Sequence, residues 1–266
     1  MLELFIGVVL VALIISTLVD LKTFEIPDFL TYFLIIFGIG AHVLLSLNSN
    51  FEISTLFISL GIATAFGLMM YYTGQWGGGD SKLLIGMSAM LPSYTLNAPY
   101  PFIVSFIVNL MIAGGIYSTL FLIKESIFNF EKINSKLPFL KYLALISLIL
   151  ILSKIYIFGA SLAIMMILIL AMHVQNNFFV KKILPKNLVE GDWVLDELTY
   201  HGKLIFKPKK TGVSKADVIL IKKYFKKSIN VKSGLAFGPA FLIAFLLTLK
   251  YGDLIFTILS DYLSKI

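Results

Sequence analysis

The stretch LELFIGVVLVALIISTLVD, residues 2–20, is almost continuously apolar and ends in an aspartate. Its length matches the roughly 20 residues that an α-helix needs to cross the hydrocarbon core of a bilayer. Similar runs recur along the 266-residue chain, which is 58% hydrophobic and only 14% charged. Closed β-barrels also span membranes, but they consist of alternating segments and not of continuous apolar runs. The sequence therefore predicts an all-α polytopic membrane protein.

Eight apolar segments can be traced, and together they predict six to eight transmembrane helices. The fourth segment is short, and the sixth and seventh nearly touch at Ser153 and Lys154, so they fit either one long helix or a hairpin. The boundaries carry an error of several residues. The segments are 2–19, 29–47, 53–72, 82–96, 100–123, 138–153, 155–173 and 235–252.

The distribution of lysines predicts the orientation of these helices, because lysine-rich loops stay in the cytoplasm. Segment 124–141 carries four lysines, and segment 174–234 carries 13 lysines against five acids, a balance of 13 − 5 = +8. The links 48–52 and 92–99 contain no lysine and are expected outside. Two cytoplasmic segments require an even number of spans between them. This favours a hairpin in 138–173, eight spans and an external N-terminus.

Segment 174–234 is the one predicted soluble part, a small α+β cytoplasmic insert before the last helix. Alternating polar and apolar residues on either side of His201 and Gly202 predict a β-hairpin, and Ser214 is the expected N-cap of a following helix. If the insert contacts a bound substrate, its acids Glu190, Asp192, Asp196 and Glu197 are the candidates. The predicted domains are a membrane core at 1–173, the insert at 174–234 and a C-terminal transmembrane helix at 235–266.

The composition also predicts which partners and cofactors the protein has. All 22 basic residues are lysines, and the net charge is +7. Nucleic-acid sites favour arginine, whereas a lysine excess suits a bilayer with anionic headgroups, so we expect lipid contact and no nucleic acid. There is no cysteine, and three scattered histidines lack metal-ligand spacing, so no metal site is expected. The histidines are His42, His173 and His201.

Two aspartates are the strongest candidates for chemistry. Asp20 closes the first apolar segment, and Asp80 opens the fourth. Two complete segments, 29–47 and 53–72, lie between them, and two crossings return the chain to its starting side. Both carboxylates are therefore expected at the same, cytoplasmic membrane face. Two carboxylates held close together can share one proton and act as general acid and base.

The residues around Asp80 suit a site that a substrate backbone approaches closely. Gly77, Gly78 and Gly79 precede the aspartate, and glycine readily takes positive φ and has no Cβ to block a backbone. Lys82 is expected to pair with a carboxylate or to extend to the headgroups. The spacing does not fit a phosphate-binding loop, which requires G-x-x-x-x-G-K-[ST].

The first loop holds two further acids, Glu25 and Asp28, on either side of Pro27. We expect them to be solvated, with Asp28 as an alternative cap of the second helix. An acid at the end of a span is often only interfacial, and a glycine run is often only a turn. Two alternatives therefore stay open, a proton-coupled transporter that uses both aspartates and a noncatalytic scaffold. A transporter predicts acids near the midplane and internal repeats, and neither is evident.

Two motifs resemble the GxGD-type aspartic proteases, and among these the type IV prepilin peptidase family. The sequence GGGD, residues 77–80, is similar to the G-x-G-D motif, and GGGDSKLL is similar to the family's GxGDxKLL. The other half of the signature places a basic residue, then IP[ND] and threonine after an aspartate, here Asp20, Lys22, 26–28 and Thr31. The resemblance covers about residues 1–125, and the tail resembles archaeal members more loosely.

The resemblance implies a membrane aspartic endopeptidase that removes the short leader, or class III signal peptide, from prepilin or preflagellin precursors at the cytoplasmic face. Asp20 and Asp80 correspond to the catalytic pair, and Lys22, Pro27 and Asp28 are possible supporting residues. Neither a metal nor an organic cofactor is implied. Many bacterial relatives carry a cysteine-rich loop and also methylate the product, and this chain lacks cysteine, so only peptidase activity is expected. The proline-alanine-leucine-proline motif of presenilin-like proteases is not supplied by GPAFL at 238–242.

Overall fold

The computed structural model describes residues 2–48, 51–92, 100–128, 139–153, 180–232 and 234–264, together with 159, 161–163, 165, 166 and 169. These segments form a bundle of apolar helices and a small α+β unit that precedes the last part of the bundle. The helices are α1 (Leu2–Thr23), α2 (Asp28–Asn48), α3 (Ile53–Tyr72), α4 (Gly78–Met90), α5 (Phe102–Phe128), α6 (Leu140–Leu152), α7 (Lys215–Tyr224), α8 (Gly238–Tyr251) and α9 (Leu254–Leu263). The strands are β1 (Val180–Ile183), β2 (Trp193–Val194), β3 (Leu198–Tyr200), β4 (Lys203–Phe206) and β5 (Ile229–Lys232).

The polytopic helical fold is confirmed. Within the described part of the chain, five helices are long and apolar enough to cross a membrane: α1, α2, α3, α5 and the segment Gly238–Ile258. Helices α4 and α6 are shorter, with 13 residues each. Most of the predicted segment 155–173 lies outside the described residues, so the total number of spans stays a prediction.

The short helix α4 forms the centre of the bundle. It packs mainly against α2 and α3, and it also touches α1 and α5. Two glycines permit this close packing. A Cβ on Gly38 would lie 2.6 Å from the backbone carbon of Ala89, and one on Gly86 would lie 2.8 Å from Cβ of Leu34. The predicted segment 82–96 differs from the observed helix, because α4 begins earlier, at Gly78, and already contains Asp80.

Helix α8 packs between α1 and α5, and it is followed by a break that the sequence analysis missed. Gly252 has a φ of +69°, and α9 begins immediately after Asp253. The buried amide of Asn109 secures this break by donating to the Gly252 carbonyl oxygen at 2.7 Å. The Asp253 carboxylate accepts a hydrogen bond of 2.8 Å from the Tyr100 hydroxyl. The end of α8 is thus fixed by polar contacts within the bundle.

The α+β unit contains the predicted hairpin and helix. Strands β3 and β4 pair around His201 and Gly202, which both have positive φ, and the backbone N–H of Asp217 donates to the Ser214 hydroxyl at the start of α7. A three-stranded antiparallel sheet of order β1-β5-β2 was not predicted. Its strands are far apart in sequence and short, so no local turn signal links them. The unit has its own apolar core, formed by Leu188, Val194, Leu198, Phe206, Val213, Val218, Ile221, Ile229 and Val231.

Candidate active site

Asp20 lies in the last turn of α1 and is almost completely buried, with 4% of its surface exposed. Its Oδ2 accepts a hydrogen bond of 2.7 Å from the backbone N–H of Gly238, the first residue of α8. Backbone N–H groups at a helix N-terminus favour a negative charge. The Asp20 carboxylate is therefore enclosed within the protein and held by the last helix, which interfacial placement alone did not predict.

Asp80 lies in the first turn of α4, and its side chain is half-buried. Its Oδ2 accepts a hydrogen bond of 3.0 Å from the backbone N–H of Gly77. Gly77 is the N-cap residue, so the carboxylate satisfies one of the N–H groups that the start of a helix leaves unpaired. The beginning of α4 thus fixes the orientation of Asp80.

The fold brings Asp20 and Asp80 together. The C-terminal end of α1 meets the N-terminal end of α4, and the two carboxylates are close enough for the Asp20 charge to act on Asp80. Two crossings, α2 and α3, separate them in sequence, as the hydropathy predicted. The hydroxyl-bearing side chain of Tyr117, in α5, also lies within range of the Asp20 charge. A pair of carboxylates in such proximity can divide the roles of acid and base.

The three glycines before Asp80 do not adopt positive φ, and this expectation was wrong. Gly77 is extended, with φ −74° and ψ 165°, while Gly78 and Gly79 already belong to α4. The chain enters the helix directly, so no left-handed residue is needed at these positions. In this segment positive φ occurs at Gly74 instead, at +73°.

Gly79 has a different function, which is to allow close packing of the first turn of α4 against the loop between α1 and α2. A Cβ on Gly79 would lie 2.9 Å from Cβ of Ile26 in the loop between α1 and α2. A Cβ on Gly77 would lie 3.4 Å from Oδ2 of Asp80, an ordinary contact, and one on Gly78 would come no closer than 3.9 Å to Tyr71. Among the three, only Gly79 has a Cβ position that the structure blocks.

Lys82 pairs with a carboxylate, as expected, but not with one of the two central aspartates. Its Nζ lies 2.7 Å from Oδ1 of Asp28, the first residue of α2, and 5.1 Å from the ring centre of Tyr32. The pair connects the first turns of α2 and α4. Both side chains are substantially exposed, at 35% and 61%, so the pair contributes little to stability.

The remaining supporting candidates lie in or beside the first loop. The carbonyl oxygen of Pro27 accepts from the backbone N–H groups of Leu30 and Thr31, so Pro27 begins the first turn of α2. Lys22 lies in the last turn of α1 and is exposed. Among the described residues, no contact places Lys22 or Pro27 between the carboxylates of Asp20 and Asp80.

The α+β unit contacts both loops that adjoin the aspartates. Nζ of Lys181 lies 5.1 Å from the ring centre of Phe24, and a Cβ on Gly74 would lie 3.0 Å from the carbonyl oxygen of Lys210. Partial burial, together with the charges of Asp192 and Asp28, raises the pKa of Glu25. The unit therefore lies next to the candidate site.

The four acids of this unit have separate environments. Asp196 accepts hydrogen bonds from the backbone and side-chain nitrogens of Asn230, at 3.2 and 3.3 Å. Glu190 lies 3.6 Å from Nζ of Lys215, and Asp192 accepts from the Val189 N–H at 2.9 Å. Among the four, Asp192 is the one whose charge acts on the first loop. A role for Glu197 or any of the others in substrate contact stays a prediction.

Sequence reasoning missed an aromatic cluster that joins the two aspartate-bearing segments. Trp76, directly before Gly77, is buried, and its ring centre lies 5.9 Å from that of Phe237 and 5.5 Å from that of Phe241. Phe237 in turn directly precedes Gly238, the donor to Asp20. A glycine and a proline at 238–239 signal a helix start, but nothing in the sequence indicates which side chain that helix start contacts.

The sequence model of the type IV leader peptidase family matches residues 7–119, which include both aspartates. The match agrees with the family that the two motifs predict. The matched residues end within α5, so α8 and its contact with Asp20 lie outside them.

Two curated relatives are similar to part of the chain. A preflagellin peptidase of Methanocaldococcus jannaschii is 33% identical over 88 residues, which cover 32% of this chain and 37% of the relative. A preflagellin peptidase of Methanococcus maripaludis is 33% identical over 102 residues, which cover 36% of this chain and 41% of the relative. The chain thus spans about two fifths of the length of these relatives. No solved structure gave a significant match.

Proposed function

We propose that this protein is a membrane aspartic endopeptidase that removes the short leader from prepilin-like precursors at the cytoplasmic face. The observation that carries the proposal is that Asp80 lies within range of the charge of Asp20, 60 positions away in sequence, at one end of the helix bundle. The match of residues 7–119 to the sequence model of the leader peptidase family supports it.

The reaction requires one ionised and one protonated carboxyl group. The ionised carboxylate takes a proton from water, whose oxygen attacks the carbonyl carbon of the leader's last peptide bond. The protonated carboxyl donates to the carbonyl oxygen, and collapse of the tetrahedral intermediate expels the amine with a proton. Because the two groups titrate as a pair, neither role is assigned to a fixed residue.

A preflagellin, or archaellin precursor, is the second candidate substrate. The two relatives are both named preflagellin peptidases, and this favours a precursor of that class. Prepilin-like and preflagellin precursors have in common a short leader before a hydrophobic stretch. Co-expression of the chain with one precursor of each class, followed by a mobility-shift assay, tests the proposal. We expect loss of the leader from at least one of them, and two uncleaved precursors would overturn the proposal.

We also propose that the α+β unit lies against anionic headgroups beside the site. Its surplus of eight positive charges, counted over 174–234 as 13 lysines minus five acids, supports this position. Each lysine near an anionic surface contributes about 1 kcal/mol, and the effect falls off within a Debye length.

The orientation of the chain can be tested with reporter fusions. A reporter placed within 186–210 should read cytoplasmic, and one placed after Asn50 should read external, because the lysine-rich unit is retained in the cytoplasm. The alkaline phosphatase and green fluorescent protein pair gives opposite signals on the two sides. An external reading within 186–210 would mean that 138–173 crosses the membrane only once, and the predicted count of eight spans would then be wrong.

Neutral variants of the first loop should be much milder than variants of the central aspartates. Asp28→Asn loses the exposed pair with Lys82, and we expect cleavage within about fivefold of the wild type, which corresponds to the ~1 kcal/mol upper range for such pairs. Glu25→Gln removes a negative charge that is repelled by Asp192 and Asp28, so its effect on cleavage should be equally mild. The initial cleavage rate of a precursor peptide measures both. Inactivity of either variant would place that residue in the chemistry.

A further inference from the structure

The start of α8 is in direct contact with a candidate catalytic carboxylate. Gly238 donates its backbone N–H to Oδ2 of Asp20 at 2.7 Å, across a separation of 218 residues in sequence. The donor lies at the N-terminal, positive end of the helix dipole, which favours the ionised carboxylate. A carboxylate that is held by a fixed donor keeps one orientation during catalysis.

A side chain at position 238 would be crowded by α1. A Cβ on Gly238 would lie 3.0 Å from Cα of Thr17 and 3.1 Å from Oδ2 of Asp20. The Thr17 atom belongs to the backbone of α1, so it cannot rotate away as a flexible side chain does. The absence of a side chain is what lets α8 approach α1 closely enough to form the hydrogen bond.

The preceding residue, Phe237, connects this contact to the other aspartate. Its ring fits against Gly114 of α5, where a Cβ would lie 2.4 Å from the ring atom Cζ. The same ring packs against Trp76, with 5.9 Å between ring centres. Trp76 adjoins Gly77, whose backbone N–H donates to Asp80. Residues 237 and 238 thus contact the segments that hold both carboxylates.

We propose that Phe237 and Gly238 are positioning residues for the two aspartates. The Gly238 N–H orients the Asp20 carboxylate, and the Phe237 ring keeps α8 at a fixed distance from the segment that presents Asp80. The inference rests on the proposed peptidase function, and it assigns a role to residues beyond the matched region 7–119.

The first test is Gly238→Ala, with Gly7→Ala as the matched control. A Cβ on Gly7 meets no atom within 4 Å, so this control adds the same group to a membrane helix without displacing anything. In Gly238→Ala the kcat should fall about tenfold with little change in KM, because contacts of 3.0 and 3.1 Å require a smaller shift than the ~1 Å that costs about 100-fold. The acidic limb of the pH–rate profile should also move to higher pH, because the ionised form of the pair loses a hydrogen-bond donor. A merely structural role would lower the amount of active protein without moving this limb.

The second test uses the adjacent glycines of α5. Gly114→Ala should lower kcat by displacing the Phe237 ring, whereas Gly115→Ala should not, because a Cβ there meets no atom within 4 Å. In the double variant Gly114→Ala, Phe237→Leu, the smaller leucine side chain should make room for the new methyl group and restore part of the lost kcat. A double-mutant cycle then measures the coupling between positions 114 and 237. The cycle stays informative even if Gly238→Ala fails to fold.

The outcomes separate the two proposals. If the wild type does not cleave any precursor, the peptidase function falls and this inference falls with it. If the wild type cleaves but Gly238→Ala keeps its kcat and pH profile, only the positioning role is overturned. Equal rates for Gly114→Ala and Gly115→Ala, or no rescue by Phe237→Leu, would likewise overturn the role of Phe237 while leaving the peptidase intact.

Discussion

Asp20→Asn and Asp80→Asn should each abolish leader cleavage while the protein still accumulates in the membrane. An amide neither takes a proton from water nor donates one as a carboxylic acid does, so the loss should be at least about 10²-fold to 10⁴-fold. Asparagine preserves the size of the side chain and retains one oxygen for the N–H of Gly238 or Gly77. Co-expression with a precursor and immunoblotting of precursor and membrane fraction measure both effects.

Asp253→Asn is the matched control for this experiment. Asp253 is also a buried carboxylate, 3% exposed, but it lies at the break before α9, where it accepts from the Tyr100 hydroxyl. Its replacement should cost stability and leave cleavage by the folded protein unchanged. Normal processing by Asp20→Asn or by Asp80→Asn would remove that residue from the mechanism.

Gly79→Ala should reduce cleavage by about 100-fold, because a shift of about 1 Å in a catalytic group has an effect of this size. The new Cβ would lie 2.9 Å from Cβ of Ile26, so the first turn of α4, which carries Asp80, must move away from the first loop. Gly79→Val should be more severe, since its branched side chain adds two further methyl groups at the blocked position. The initial rate of cleavage, normalised to the amount of folded protein, is the relevant measurement.

The neighbouring glycines provide the controls. Gly78→Ala should be close to the wild type, because its Cβ comes no nearer than 3.9 Å to Tyr71. Gly77→Ala should be mild as well, since its backbone is extended and its Cβ makes an ordinary 3.4 Å contact with Asp80. Equal effects at 78 and 79 would show that the contact with Ile26 does not hold Asp80 in place.

The placement of Asp20 and Asp80 at the same end of the helix bundle could be predicted from the sequence, because it depends on counting crossings. Two uninterrupted apolar segments separate the two residues, and each segment has only one way to satisfy its backbone inside a bilayer. The hairpin at His201 was also predictable, since its turn and its alternating pattern are local. The number of crossings and the local alternation of residues were thus enough to predict these two features without the structure.

The use of the glycines could not be predicted in the same way. A glycine permits positive φ, close approach or both, and the sequence does not distinguish these uses. Gly79 is needed for its contact with Ile26, and Gly238 for its contact with Thr17 and Asp20. Both contacts join segments that are distant in sequence, so they follow only from the tertiary packing of the helices.

The boundaries of α4 and the last helix were misjudged for a related reason. Hydropathy detects only apolar residues, so the predicted segment 82–96 omitted the polar first turn of α4, from Gly78 to Ser81. It also ended the last segment at 252, where Gly252 and Asp253 break the helix, and missed the amphipathic α9 beyond them. The polar contacts of Asn109 and Tyr100 that stabilise this break come from α5 and the residues just before it.

Cleavage by the purified protein tests the two-aspartate peptidase most directly. The wild type, Asp20→Asn and Asp80→Asn would each be reconstituted in liposomes with a precursor and sampled by mass spectrometry. We predict that the wild type releases an intact leader and a shortened product, and that neither variant releases either one. An uncleaved precursor with the wild type, or the same products with either variant, would contradict the account.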